Sequence, residues 1–106
     1  MHPRPTHVVH NGGHRLLVEF EDGVRAELDF GAMVARGGIY SPLSDPRTFG
    51  RVRIDAEAQT LVWPGDVDIC PDVLYHLATG AALPGDLPFR AATVLRLERR
   101  RAAVPS

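Results

Sequence analysis

HRLLVEFEDGVRAELDF (residues 14–30) holds two alternating apolar runs separated by Glu21-Asp22-Gly23. Leu16, Val18 and Phe20 share one side of the first run, and Val24, Ala26, Leu28 and Phe30 share one side of the second. Alternation with a period of two predicts a pair of half-buried strands. Loop length decides which residues face each other. A two-residue Asp22-Gly23 turn would set Phe20 against Arg25 and Val18 against Glu27, opposing apolar and charged positions. A three-residue loop instead sets Phe20 against Val24, Val18 against Ala26 and Leu16 against Leu28. A slip of one residue turns every side chain to the other face, so burial selects the three-residue loop. The expected geometry is a type I turn followed by Gly23 in the left-handed region, forming a G1 bulge.

Working outward, Thr6-His7-Val8-Val9 reads as a short first strand, joined to the hairpin through Gly12-Gly13. Downstream, GAMVARGGIYSPLSDPRTFG (31–50) is too rich in glycine and proline for a long element. It has room for one helical turn at 32–36 ended by Gly37, and for Leu43 and Phe49 to plug the core from a turn-rich segment. RVRI (51–54) and TLVW (60–63) read as two further strands joined by DAEAQ (55–59), with Pro64-Gly65 as the stop. PDVLYHLAT (71–79) reads as a helix: Pro71 suits the first position, Val73, Leu74, Leu77 and Ala78 form one stripe, and Gly80 ends it. GAALPGDLP reads as a linker. The following PFRAATVLRLERRR reads as a second helix capped by Asp86, with Leu87, Ala91, Val94 and Leu95 on one side. The expected fold is α+β: a small antiparallel sheet of four to five short strands built on the 14–30 hairpin, a helix at 71–79 and a C-terminal helix. Residues 1–80 form the compact domain, and 81–106 form a linker and an Arg-rich helical tail.

A chain of 106 residues with 44% hydrophobic and 24% charged residues suits one globular domain. No apolar run approaches the roughly 20 residues that span a bilayer, and MHPRPTHVVH lacks the apolar block of a signal peptide. Neither a membrane nor secretion is expected. Cys70 is the single cysteine, which excludes an internal disulfide and makes a reducing cytoplasm the expected compartment. The net charge of −1 is split unevenly. Residues 1–88 carry 7 Arg against 12 acids, for −5, and residues 89–106 carry 5 Arg against Glu98, for +4. There is no lysine. Arginine forks suit carboxylate and phosphate, but the even scatter of arginines also matches the codon usage of a GC-rich genome.

Three groups of residues invite a chemical reading. Asp66, Asp68 and Asp72 lie beside the expected 71–79 helix, flanked by Trp63 and Tyr75. Clustered carboxylates suit a hard divalent cation or a small ligand, yet carboxylates at a helix N-terminus also stabilise it by roughly 0.3–1 kcal/mol each. Leu77 stands where an EF-hand counted from Asp66 needs a bidentate glutamate, so no metal or cofactor is assigned. Trp63 and Tyr75 suit core plugs, or binding anchors if exposed. His7, His10 and His14 are imidazoles that a Gly-Gly turn can bring together, but that spacing lacks the four fixed ligands of a structural zinc site. Cys70 lacks a base within reach, since His76 lies nearly two turns along the same helix. No G-x-S-x-G, P-loop, H-E-x-x-H or dinucleotide pattern occurs, so an enzyme is not expected. The tail arginines Arg96, Arg99, Arg100 and Arg101 suit phosphate or an acidic protein surface.

An ordered series of residues resembles a known family. It runs Leu16-x-Val18-x-Phe20-x-Asp22-Gly23, Leu28-Asp29, Pro42-Leu43, Asp45-Pro46 and Phe49. It continues through Val52, Asp55, Trp63-Pro64, Asp68, Pro71-Asp72 and Leu74-Tyr75. This series, over about residues 7–78, resembles the uncharacterised bacterial family known as domain of unknown function 2442. Family members show W-P-N-G-x-D where this chain has Gly65 and Asp66 in place of Asn and Gly. The resemblance implies a compact α+β domain with an antiparallel sheet, and it assigns no catalytic residue. Some relatives carry a helix-turn-helix domain, for which too few residues follow here. Others are encoded beside a second small protein, an arrangement similar to toxin–antitoxin pairs.

The expected function is a non-enzymatic protein-interaction module, one half of a two-protein system, whose partner is a small protein encoded alongside; homo-oligomerisation is a further option. Two alternatives stand beside it: a nucleic-acid-associated regulator using the Arg tail, and a metal or small-ligand site at 66–72. The site residues at issue are Trp63, Asp66, Asp68, Asp72, Tyr75, Arg96, Arg99, Arg100 and Arg101.

Overall fold

In a computed structural model of the chain, which describes residues 3–80 and 93–99, the 14–30 stretch folds as the hairpin its pattern predicts. Strands β2 (Arg15–Phe20) and β3 (Val24–Asp29) pair antiparallel, with Leu16 opposite Leu28 and Val18 opposite Ala26. Gly23 has φ of 87°, and its N–H donates to the Phe20 carbonyl at 3.0 Å. This closes the turn with the left-handed residue that a G1 bulge needs. The seven inward-facing apolar residues of the hairpin are at most 4% exposed. The register therefore delivers one wall of the core in a single step.

Strand β1 (Pro5–His10) lies antiparallel to β2, with Val8 opposite Val18 and His10 opposite Leu16. On the other side of the hairpin, β3 pairs with a strand from the C-terminal segment, β7 (Thr93–Arg99), completing the order β1-β2-β3-β7. This corrects the expected C-terminal helix: Val94 to Arg99 are extended, with Arg25 opposite Glu98, Ala26 opposite Leu97 and Glu27 opposite Arg96. The physical reason lies in β3. Without a neighbour, its outer backbone groups would lack hydrogen-bond partners beside a buried apolar face, and unpaired buried backbone is costly. Tertiary pairing overrides the weak helical period of a short segment. The linker after Gly80, the Asp86 cap, Leu87, Ala91, Arg100 and Arg101 fall outside the described residues.

The second sheet has the order β4-β5-β6, from β4 (Arg53–Ile54), β5 (Leu61–Trp63) and β6 (Val67–Ile69). The described residues thus hold seven strands in two antiparallel sheets, instead of four to five in one. Pro64-Gly65, a stop by its local chemistry, is instead a turn from which the chain returns. Gly65 (φ 90°) and then Asp66 (φ 61°) take positive φ, with Pro64 ahead of them. A Pro-Gly pair with glycine at positive φ is what a type II turn requires. It sets Trp63 opposite Val67 and Leu61 opposite Ile69, all buried.

Short helical pieces close the ends. Helix α1 (Gly31–Ala35) buries Met33 and Val34 and leads into a 3-10 segment, Gly38–Ser44, that buries Leu43. Asp45 caps α2 (Pro46–Phe49), accepting from the Arg47 N–H at 2.9 Å. The Arg47 guanidinium hydrogen-bonds the same carboxylate and holds it below the usual carboxylate range. Phe49 from α2 is fully buried between the sheets; its ring tilts against Trp63 at 5.6 Å and meets the edges of His14 at 5.0 Å and His10 at 5.8 Å. The Phe49 carbonyl accepts the Trp63 indole N–H at 2.8 Å. Helix α3 (Pro71–Thr79) has Pro71 at its start and left-handed Gly80 as its cap, and it buries Leu74, Tyr75, Leu77 and Ala78.

Two consequences are measurable. Gly23→Val forces a β-branched residue into the left-handed region and is expected to lower stability by at least about 1 kcal/mol in chemical denaturation. A variant that unfolds at the wild-type denaturant midpoint contradicts the bulge. Trp63→Phe keeps the aromatic volume but strands the buried Phe49 carbonyl, with an expected loss of about 1–3 kcal/mol. Calorimetry reads that loss without relying on the missing fluorophore.

Candidate functional site

The acidic turn disperses once folded. Asp66 sits in the β5–β6 turn, Asp68 is exposed in the middle of β6, and Asp72 is half-buried in the first turn of α3. Strand alternation is the cause: Val67 and Ile69 point into the core, so Asp68 must point out. There it lies near Tyr40, whose phenol is pushed above its ordinary value by burial and, to a lesser degree, by the Asp68 charge. Among the described residues, no three His, Cys, Asp or Glu side chains gather as a metal site would need. The histidines are engaged by their surroundings. His10 Nε2 donates to Gly13 O at 2.8 Å, His14 Nε2 donates to Leu43 O at 2.7 Å, and His7 pairs with the Thr6 hydroxyl at 3.2 Å. Cys70 is exposed at the α3 N-cap position without making a side-chain cap.

Trp63 and Tyr75 are core residues, 3% and 9% exposed. A partner would have to open the core to touch the indole. Tyr75 instead joins two elements. Its ring meets Phe20 edge-on at 5.0 Å, and its hydroxyl donates to Asp22 Oδ2 at 2.5 Å. The other oxygen of Asp22 accepts the Val24 N–H at 3.1 Å. One carboxylate therefore shapes the hairpin loop and ties it to α3. No local signal in the sequence marks this pairing, because Asp22 and Tyr75 are 53 residues apart.

What the sequence separated and the fold unites is the outer face of the four-stranded sheet. Two cross-strand rows run over it: His7, Glu19, Arg25 and Glu98 in one, and Val9, Leu17, Glu27 and Arg96 in the other. Unlike charges directly opposite one another support strand pairing. Arg25 Nε lies 3.4 Å from Glu19, Arg96 lies 2.7 Å from Glu98, and Asn11 donates to Glu27. Leu17, Arg25, Glu27, Arg96 and Glu98 line a shallow cleft there. Arg96 is thereby matched by acids on both its own strand and β3. Arg99 ends β7 opposite Val24.

The edge of this face is β7. Among the described residues it pairs only with β3, and its apolar side chains stay exposed: Val94 at 41%, Leu95 at 48% and Leu97 at 39%. Val94 and Leu97 stand opposite Leu28 and Ala26 and so continue the core face, on which α3 comes close to β7, while Leu95 sits at the register shift. The signal for this strand was present in the sequence, since Arg25-x-Glu27 read against Arg96-x-Glu98 in the antiparallel sense pairs opposite charges.

A family model described as "Protein of unknown function (DUF2442)" matches residues 5–80. The chain belongs to this family. The match covers β1 to α3 and ends before β7, so the fourth strand of the large sheet comes from outside the matched segment. No curated protein and no solved structure matches the chain. Among the described residues, no helix of this DUF2442 member is long and apolar enough to cross a membrane.

Tyr75→Phe removes the clamp between α3 and the hairpin loop while leaving the ring in place. The expected loss is about 1 kcal/mol. The same change made on an Asp22→Ala background should cost markedly less, and additive losses would show that the two side chains act independently.

Proposed function

We propose that this DUF2442 member is a non-enzymatic protein-docking module of the cytoplasm that takes up another polypeptide along the β7 edge. The observation that carries the reading is the edge itself, which combines one side of a seven-residue strand that no described residue pairs with and three exposed apolar side chains. A strand edge offers a row of backbone donors and acceptors to an incoming strand, and flanking side chains supply specificity. Natural edges are usually blunted by prolines, bulges or charges. Here the leucines weigh toward use, and Arg96 and Glu98 between them provide a charge code that a partner must match.

The charge pattern supports a protein over a nucleic acid. Phosphate binding needs an uncompensated basic stripe, whereas Arg96 lies opposite Glu27 and against Glu98, with Glu19 on the same face. The exposed lone thiol of Cys70 fits a reducing compartment.

A photo-cross-linking amino acid placed at Leu95, in cells that naturally make the protein, tests the reading. A discrete protein adduct, lost when the same probe is moved to exposed Glu57 in the β4–β5 turn of the other sheet, is expected. Adducts only to nucleic acid, or equal labelling from both positions, would overturn it.

A further inference from the structure

We infer that the polypeptide which pairs with β7 is a second copy of this chain, related by a two-fold axis through Leu97. The inference rests on the docking reading above and specifies its partner.

Register selects the position of the axis. When two identical strands pair antiparallel about an axis perpendicular to the sheet, residues directly opposite share a face. Around the middle of β7 this admits axes that pass through a residue. An axis at Arg96 sets arginine against arginine, and an axis at Glu98 sets glutamate against glutamate; like charges directly opposite are destabilising. An axis at Leu97 sets Leu97 against Leu97, Arg96 of each copy against Glu98 of the other, and Leu95 against Arg99. Only this register matches every charge next to the axis.

The existing rows on the outer face continue through that junction. Within one copy, Glu19, Arg25 and Glu98 form a row of alternating sign, and Glu27 and Arg96 form the next. With the axis at Leu97, the first row of one copy runs into the second row of the other: Glu19, Arg25, Glu98, then Arg96 and Glu27. The sign alternates without a break across five positions and two chains. On the opposite face, Leu97 (39% exposed) meets its own copy, so that the exposed part of each side chain is buried against the other. Two four-stranded sheets become one of eight strands with β1 at each end.

Sedimentation equilibrium of the full chain at micromolar concentrations is expected to give twice the 11.6 kDa chain mass. A wild-type chain that stays at 11.6 kDa throughout that range overturns the inference. Register is tested by charge. Arg96→Glu alone sets two acids opposite each other, and Glu98→Arg alone sets two arginines opposite each other, so each variant is expected to be monomeric. In an equimolar mixture both junction pairs become Glu–Arg, and the doubled mass should return. Two folded variants that remain monomeric when mixed, or that dimerise singly as well as wild type, overturn the Leu97 axis.

A measurement that leaves these charges untouched guards against misfolding. Leu97→Cys in a Cys70→Ser background should oxidise to a covalent dimer, because residues directly opposite in a ladder lie within disulfide reach. Leu95→Cys should not. Equal cross-linking from both positions counts against the register. A monomeric wild type combined with a photo-adduct from Leu95 to a different protein would remove self-pairing and leave the docking reading in place.

Discussion

The structure depends on the three-residue loop between β2 and β3. Loop length sets the register, and register sets which face each side chain occupies. With Gly23 in the left-handed region, Leu16, Val18, Phe20, Val24, Ala26, Leu28 and Phe30 all turn inward and are buried. The same choice turns Glu19, Arg25 and Glu27 outward, in the order that later meets Arg96 and Glu98. One backbone decision therefore builds both the core wall and the charged face.

The interior closes around Phe49. A four-residue helix, α2, brings this ring between the sheets, where it touches Phe30, Trp63, His10 and His14. Its carbonyl would be a buried acceptor without a partner, and the Trp63 indole supplies the donor. Buried polar groups are tolerated when paired and are costly when not. His14 serves the Leu43 carbonyl in the same way. These contacts explain why a segment rich in glycine and proline still holds a defined path: its few apolar residues are deeply inserted, and two of its backbone carbonyls are served by side chains from neighbouring elements. Among the described residues, no buried side-chain nitrogen or oxygen lacks a partner.

At the surface, folding separates the residues that first invite a chemical reading. The acids of the 66–72 stretch separate onto a turn, a strand and a helix, and the aromatics beside them enter the core. The unusual surface is the β7 edge. It offers backbone hydrogen bonding together with exposed leucines and alternating charge, a combination suited to strand addition. Strand β7 lies beyond the segment that matches DUF2442, so this edge comes from the C-terminal region outside the match.

Sequence alone determined the elements whose signals are local. The 14–30 hairpin, its bulge and the 71–79 helix with its proline start and glycine end were legible because alternation, turn chemistry and capping act over a few residues. The burial of Leu43, Phe49 and Trp63 was legible too, since a small core has few other large side chains to use. Tertiary structure alone decided the rest. Strand β6 is three residues long, too short for a period to register, and it exists because β5 provides a partner. Strand β7 is extended because β3 has an edge to satisfy, and edges are invisible until the hairpin has formed. The Tyr75–Asp22 clamp and the two charge rows join residues far apart in the chain. Such contacts follow from the packing of elements, and no local propensity encodes them.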